Sequence, residues 1–252
     1  YTGQMIIPTR RASAVAGYRG VGRWVAMHIG LIGGIGPKAT SFYYESIARA
    51  FAAASTPLRL TIAHTELSLL AKNLMSDNKQ AQAKEFERVT LQLQAAGAER
   101  VAITSFGGAF VGDEFAQISP LPIVDGPTAL VEHLRQTGLT RVGILGTTAV
   151  MGSKLYGKLY DVCDVLSPGD DSDAAMQQCH DDYRELAFNG VATPEQRSRL
   201  FGAAQRLVDR GAQRVVLGGT DLNVIFDGSQ SVPVLDSAKI HVNAIVAEAL
   251  RR

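Results

Sequence analysis

Cysteine is scarce in this 252-residue chain, its charges nearly cancel, and it contains no long apolar run. Each shortage removes a class of protein. Cys163 and Cys179 form no CxxC pattern, and two cysteines are too few for a disulfide framework, so both read as free thiols in a reducing compartment. No stretch approaches the roughly 18 uninterrupted apolar residues of a membrane helix, and the first 26 residues lack the continuous apolar core of a secretory signal. A cytoplasmic protein with no membrane partner is expected. The formal charge is +1, yet residues 1–26 hold Arg10, Arg11, Arg19 and Arg23 and no acidic residue. The remainder is net acidic, which argues against a nucleic-acid partner. The arginine-rich segment 1–26 weakly resembles a transit peptide and reads better as an N-terminal extension, disordered and dispensable for stability.

What is present is 46% apolar residues, enough for a substantial core. From Met27 onward β-type runs alternate with helical stretches, the pattern of an α/β protein whose parallel sheets are covered by helices. Strands are expected at 28–33, 59–65, 100–105, 122–125, 141–147, 214–219 and 233–236. One helix follows Thr40 and Ser41 as N-caps, and another starts at Pro194 after Thr193 and stops at Gly211.

Three landmarks recur in the same order. IGLIGG at Gly30 pairs with VGILGT at Gly143, AGAERVAITS at Gly97 with RGAQRVVLGG at Gly211, and LPIVD at Pro122 with VPVLD at Pro233, at offsets of 113, 114 and 111 residues. Three matches in register predict two pseudo-symmetric lobes, one built from 27–125 plus 232–252 and the other from 126–231. In open α/β sheets ligands sit beyond the carboxyl ends of the strands. Ser105 and Gly219 are counterparts under the repeat and are expected to face each other across a cleft between the lobes.

The segments GLIGGIGPKAT, GILGTTAVM, VVLGGTDL and VPVLDSAKIHVNAIV resemble the aspartate/glutamate racemase superfamily of cofactor-independent amino-acid racemases, from Met27 to the C-terminus. That resemblance implies a small carboxylate or amino-acid ligand, no cofactor and a homodimer. It also implies two cysteines facing each other across the substrate α-carbon, at positions that here read Ser105 and Gly219. Both thiols are missing, so the two-thiol racemisation is unavailable and no α-hydrogen exchange into aspartate or glutamate is expected by that route. A serine hydroxyl is too weak an acid to replace a thiol without a neighbouring base, and glycine offers only backbone.

The remaining candidates are Asp221 as acid/base, Ser105 with the Gly107 backbone as an oxyanion-type site, and His241, matching a family histidine, as a group orienting Asp221. The loop with Gly34 and Gly36 opens a helix whose N-terminus suits a carboxylate. Lys38 would add charge, and Thr147, Thr148, Thr220 and the Gly219 backbone would add donors, although each threonine equally suits a cap or turn. His64 and Glu66 end a strand and suit either the cleft or solvent. The run CHDDY at 179–183 invites a metal, but its spacing matches no standard site and acidic helix N-terminal residues explain it better. GIGPKA at 34–39 fits a degenerate dinucleotide fingerprint, weakened by Pro37 and by the distance to Glu66. The leading readings are an enzyme acting on a small carboxylate by altered isomerase or lyase chemistry, and a catalytically inactive homologue that binds an amino acid or dicarboxylate.

Overall fold

The run Ile29–Gly33 forms strand β1, buried along its whole length, and its alternation sorts the core. Ile29 and Leu31 pack with Tyr43, Ile47 and Phe51 of helix α1 (Pro37–Ala53) and with Val242 and Ile245 of helix α9 (Ser237–Ala249). Ile32 belongs to a different cluster with Phe86, Val89 and Leu93 of helix α3 (Lys79–Ala95). A strand covered on both faces must be apolar throughout, which is why β1 reads as an unbroken apolar run.

The computed structural model describes residues 26–228 and 231–251. It has two parallel sheets. In the first, β1 lies between β2 (Leu60–His64) and β3 (Arg100–Ile103), and Val101 of β3 makes a further parallel bridge to Ile123. The second has the order β5 (Asp164–Leu166), β4 (Arg141–Leu145), β6 (Arg214–Leu217), β7 (Val234–Asp236), all parallel. Counting the Ile123 bridge as the fourth position, the two orders are the same. The other helices are α2 (Leu67–Met75), α4 (Gly112–Ile118), α5 (Gly126–Thr137), α6 (Thr148–Gly152), α7 (Asp173–Asn189) and α8 (Pro194–Asp209).

The sequence repeat has a physical basis at each landmark. A side chain at Gly30 would come within 3.1 Å of the Leu93 Cβ, and one at Gly143 within 3.0 Å of the Leu207 Cβ. Glycine lets α3 and α8 approach their strands equally closely. Past these helices, Gly97 and Gly211 take left-handed φ values of 92° and 98°, and the Ala98 and Ala212 amides return to Leu93 O and Leu207 O at 3.0 Å each. The Val101 and Val215 amides donate to Pro122 O and Pro233 O at 3.1 and 2.9 Å.

Several expectations need correction. The N-cap of α1 is Gly36, with Pro37 in the first turn; Thr40 Oγ1 accepts from the Gly34 amide and donates to Gly36 O, while Ser41 Oγ donates to Pro37 O. Residues 122–125 supply only the Ile123 bridge. Three-residue β5 is too short to leave a periodic signal. β7 pairs with β6 in the second sheet, although the sequence reading groups 232–252 with the first unit; only α9 packs into the first core. Of the expected extension, residues 1–25 lie outside the described residues, while Ala26 is buried and the Met27 amide donates to Ala249 O. Among the described residues no helix is long and apolar enough to cross a membrane.

The matched approaches at Gly30 and Gly143 predict matched costs. Gly30→Ala and Gly143→Ala each place a methyl against the stem of a buried leucine, and each is expected to destabilise by about 1–3 kcal/mol. Urea denaturation of the two variants checks this; a neutral result at either position would show that its helix can retreat.

Candidate active site

Strands end where the backbone must leave the ladder, and here the segments following β1, β3, β4 and β6 converge on one cavity of about 510 Å³. They bring Ile35, Ser105, Gly107, Thr147, Gly218 and Asp221 to its wall. Helices α2 and α7 close the sides, and the lining is predominantly apolar. A neighbouring cavity of about 580 Å³ also touches Ser105 but includes neither Asp221 nor Tyr183, and its own charged groups are engaged, Asp113 with Lys158 and Asp125 with Thr128.

Asp221 organises this site. It sits on the 3-10 turn Thr220–Val224 and is 2% exposed. The Ala39 amide in the first turn of α1 donates to its Oδ1 at 3.0 Å, and the Tyr183 hydroxyl donates to Oδ2 at 3.5 Å, the long end of a hydrogen bond. Burial outweighs both bonds and raises the carboxyl pKa from 3.8 to about 6. Gly36 permits the approach, since a Cβ there would lie 2.7 Å from Asp221 Oδ2. The helix terminus expected to receive a ligand carboxylate therefore holds the protein's own. This also leaves no place for the pyrophosphate that the dinucleotide fingerprint required.

Tyr183 was invisible to sequence reasoning. A Cβ at Gly219 would lie 2.3 Å from the nearest atom of its ring, so a phenol crowds the space where the resemblance implies the second thiol. Burial, reinforced by the Asp221 charge, raises its pKa well above 10, and the phenol stays a proton donor. On the same cavity wall, Ser105 caps the 3-10 turn Phe106–Val111 and its Oγ accepts from the Gly107 amide at 3.2 Å. That bond spends the Gly107 amide on the protein and leaves the Ser105 hydroxyl proton for a ligand.

The other candidates divide. Thr147 lines the cavity, but its Oγ1 caps α6 by accepting from the Val150 amide. The Thr148 amide donates to His180 Nδ1 at 3.1 Å, so the His180 proton sits on Nε2 and burial lowers its pKa. Thr220 is buried outside the cavity lining. Lys38 is exposed, its stem lying over Gly190. His241 does not orient Asp221: its Nε2 donates to Val124 O at 2.8 Å and its Nδ1 accepts from the Tyr43 hydroxyl at 2.9 Å, so both nitrogens are spent in the core. His64 and Glu66 pair with each other in solvent. In the CHDDY run the side chains diverge, with Cys179 in the core, Asp182 bonded twice to Arg199, and His180 and Tyr183 at the cavity. Burial pushes the Cys179 thiol up to about 11 and also raises Cys163, so neither is an activated nucleophile.

With these positions in place, the match of residues 32–245 to the Asp/Glu/hydantoin racemase model decides the family. The chain belongs to it. This racemase-family chain superposes on a protein of Yersinia pestis assigned as an Asp/Glu racemase with TM-score 0.74 and 22% identity, covering 89% of this chain and 100% of that one. It matches the aspartate racemase of Picrophilus torridus with TM-score 0.73 and 18% identity over 90% and 95% of the two chains. It also resembles the glutamate racemase of Francisella tularensis subsp. tularensis SCHU S4 in complex with D-glutamate, with TM-score 0.61 and 16% identity over 88% and 80%. At these identities the likeness is one of fold. Within it, the two positions where the resemblance implies sulfur read Ser105 and Gly219, the latter packed against the Tyr183 ring.

Two measurements test the site. Between about pH 4 and 6 the folded Asp221 keeps a proton that the unfolded chain has released, so this group stabilises the fold at low pH and loses that contribution as pH rises through about 6. Asp221→Asn keeps an acceptor for Ala39 and cannot ionise. Its stability relative to wild type is expected to rise by on the order of 3 kcal/mol between pH 4 and pH 7; a pH-independent difference would show the carboxylate to be well solvated. Separately, Gly219→Ala should destabilise the wild type by about 1–3 kcal/mol and have little effect in a Tyr183→Ala background, a coupling read from a double-mutant cycle.

Proposed function

We propose that this chain is an enzyme that moves a proton at one face of the carbon beside a carboxylate, by isomerase or lyase chemistry and without two thiols. The observation that carries this reading is the desolvated Asp221 carboxyl, with a pKa near 6, lining the cavity beside the Tyr183 phenol. A general base works best when its pKa lies near the operating pH; ionised Asp221 accepts the proton, and Tyr183 holds the carboxylate in place. Ser105, with its hydroxyl proton uncommitted, supplies a donor to the enolate-like oxygen that forms as the C–H bond breaks. The two sheets with their helices serve as the two lobes of the cleft. D-Glutamate held by the Francisella protein supports a small carboxylic acid as ligand.

The second reading, a homologue that binds its ligand without turning it over, draws on the Ser105 bond to Gly107 and on the role of Asp221 in capping α1. Incubation in deuterated water with a panel of 2-substituted carboxylic acids separates the two. Loss of the Cα–H signal is expected for at least one acid, at a rate that rises with pH through about 6 and falls by about two to four orders of magnitude in Asp221→Asn. Tight binding without exchange for every acid would favour the second reading. Racemisation of aspartate or glutamate by purified wild type would overturn the one-face assignment.

A further inference from the structure

Helix α7 turns one stripe toward the cleft, with His180, Tyr183, Arg184, Ala187 and Phe188 at helical spacing all on the cavity wall. Arg184 is the cation in that stripe. Among the described residues it has no ion pair, whereas Arg199 nearby is held by Asp182 and Arg210 by Asp170 and Asp171. It lines the cavity and is exposed to solvent. The other charged groups of the lining are already engaged: Glu185 accepts from Gln196, and Asp221 is anionic and tied to Ala39.

Across from this stripe, α2 presents Leu67, Leu70, Leu74 and Met75. Met75 is 89% exposed and Phe188 is 79% exposed, yet both line the cavity. Large apolar side chains left in water at a cavity mouth mark a surface that gains by being covered. A dicarboxylic amino acid suits this cleft poorly. It brings two carboxylates to one free cation, its second carboxylate meets leucines, and the helix terminus that would hold it is filled by Asp221. Burying an unpaired carboxylate there carries the full desolvation penalty.

We infer that the cleft takes a monocarboxylic acid with an aromatic or branched aliphatic body, the carboxylate on Arg184 and the body against α2 and Phe188. This rests on the reading of the cavity as the active site and narrows its ligand away from aspartate and glutamate. Arginine suits the role because its planar fork pairs both carboxylate oxygens at once.

The test is calorimetric binding to the full chain, read without turnover, so that it can succeed even if Asp221 moves no proton. The probes are 3-phenylpropionate, its neutral amide 3-phenylpropanamide, aspartate and glutamate. Phenylpropionate is expected to bind at least tenfold more tightly than either amino acid and at least tenfold more tightly than the amide. Arg184→Met should abolish the preference for acid over amide, and Arg184→Lys should retain part of it. Tighter binding of aspartate or glutamate, no binding of phenylpropionate at millimolar concentration, or an acid preference that survives in Arg184→Met would overturn the inference. The wild-type comparison alone decides the ligand class should the variants fold poorly. Binding of phenylpropionate together with no exchange from any acid would retain the ligand class and discard the proton-transfer reading.

Discussion

A buried carboxylate links the two halves of the fold at the wall of the cavity. Asp221 follows β6 of the second sheet and accepts from Ala39 at the start of α1, which packs on the first. The interaction is favoured by the positive end of the helix and opposed by the loss of water around the charge. The raised pKa shows that desolvation prevails. Gly36 must lack a side chain for the contact to exist, Tyr183 must stand beside it, and Gly219 must lack a side chain for Tyr183 to stand there. The composition of the cleft follows from accommodating one buried acid.

The rest of the cleft suits that acid because its lining is predominantly apolar. Apolar walls from α2 and α7 keep the local dielectric low, which keeps the Asp221 pKa raised and keeps the Tyr183 phenol protonated. The polar groups that do reach the cavity are largely bonded within the protein, as Thr147 is to Val150 and His180 to Thr148. What is left for a ligand is the proton on Ser105, the acid and phenol pair, and Arg184.

Much of the architecture could be read from the sequence because its causes are local. Apolar runs mark strands, Thr193 followed by Pro194 marks a helix start, and the recurrence of Gly30, Gly97 and Pro122 at 143, 211 and 233 records equivalent close contacts and ladder ends. Asp221 and Ser105 could be placed at the cleft because strand ends carry ligands. Tyr183 and Arg184 could not. They lie mid-helix in a segment whose register against the cleft depends on how α7 packs, and nothing local reports that a ring at 183 fills the space beside residue 219. His241 misled for the converse reason: a position shared with a family motif says nothing of the Tyr43 hydroxyl and Val124 carbonyl that use up both its nitrogens. The start of α1 looked like an anion seat and is one, but its occupant, Asp221, comes from 182 residues beyond the Ala39 amide that binds it.

The interlock of Tyr183 with Gly219 also constrains how such a cleft can change over time. A ring and a side chain press on one volume there, so the cost of any side chain at 219 depends on what stands at 183, and the reverse. A substitution at 219 is easier to accommodate once residue 183 has become smaller, and that smaller residue takes the phenol from beside Asp221.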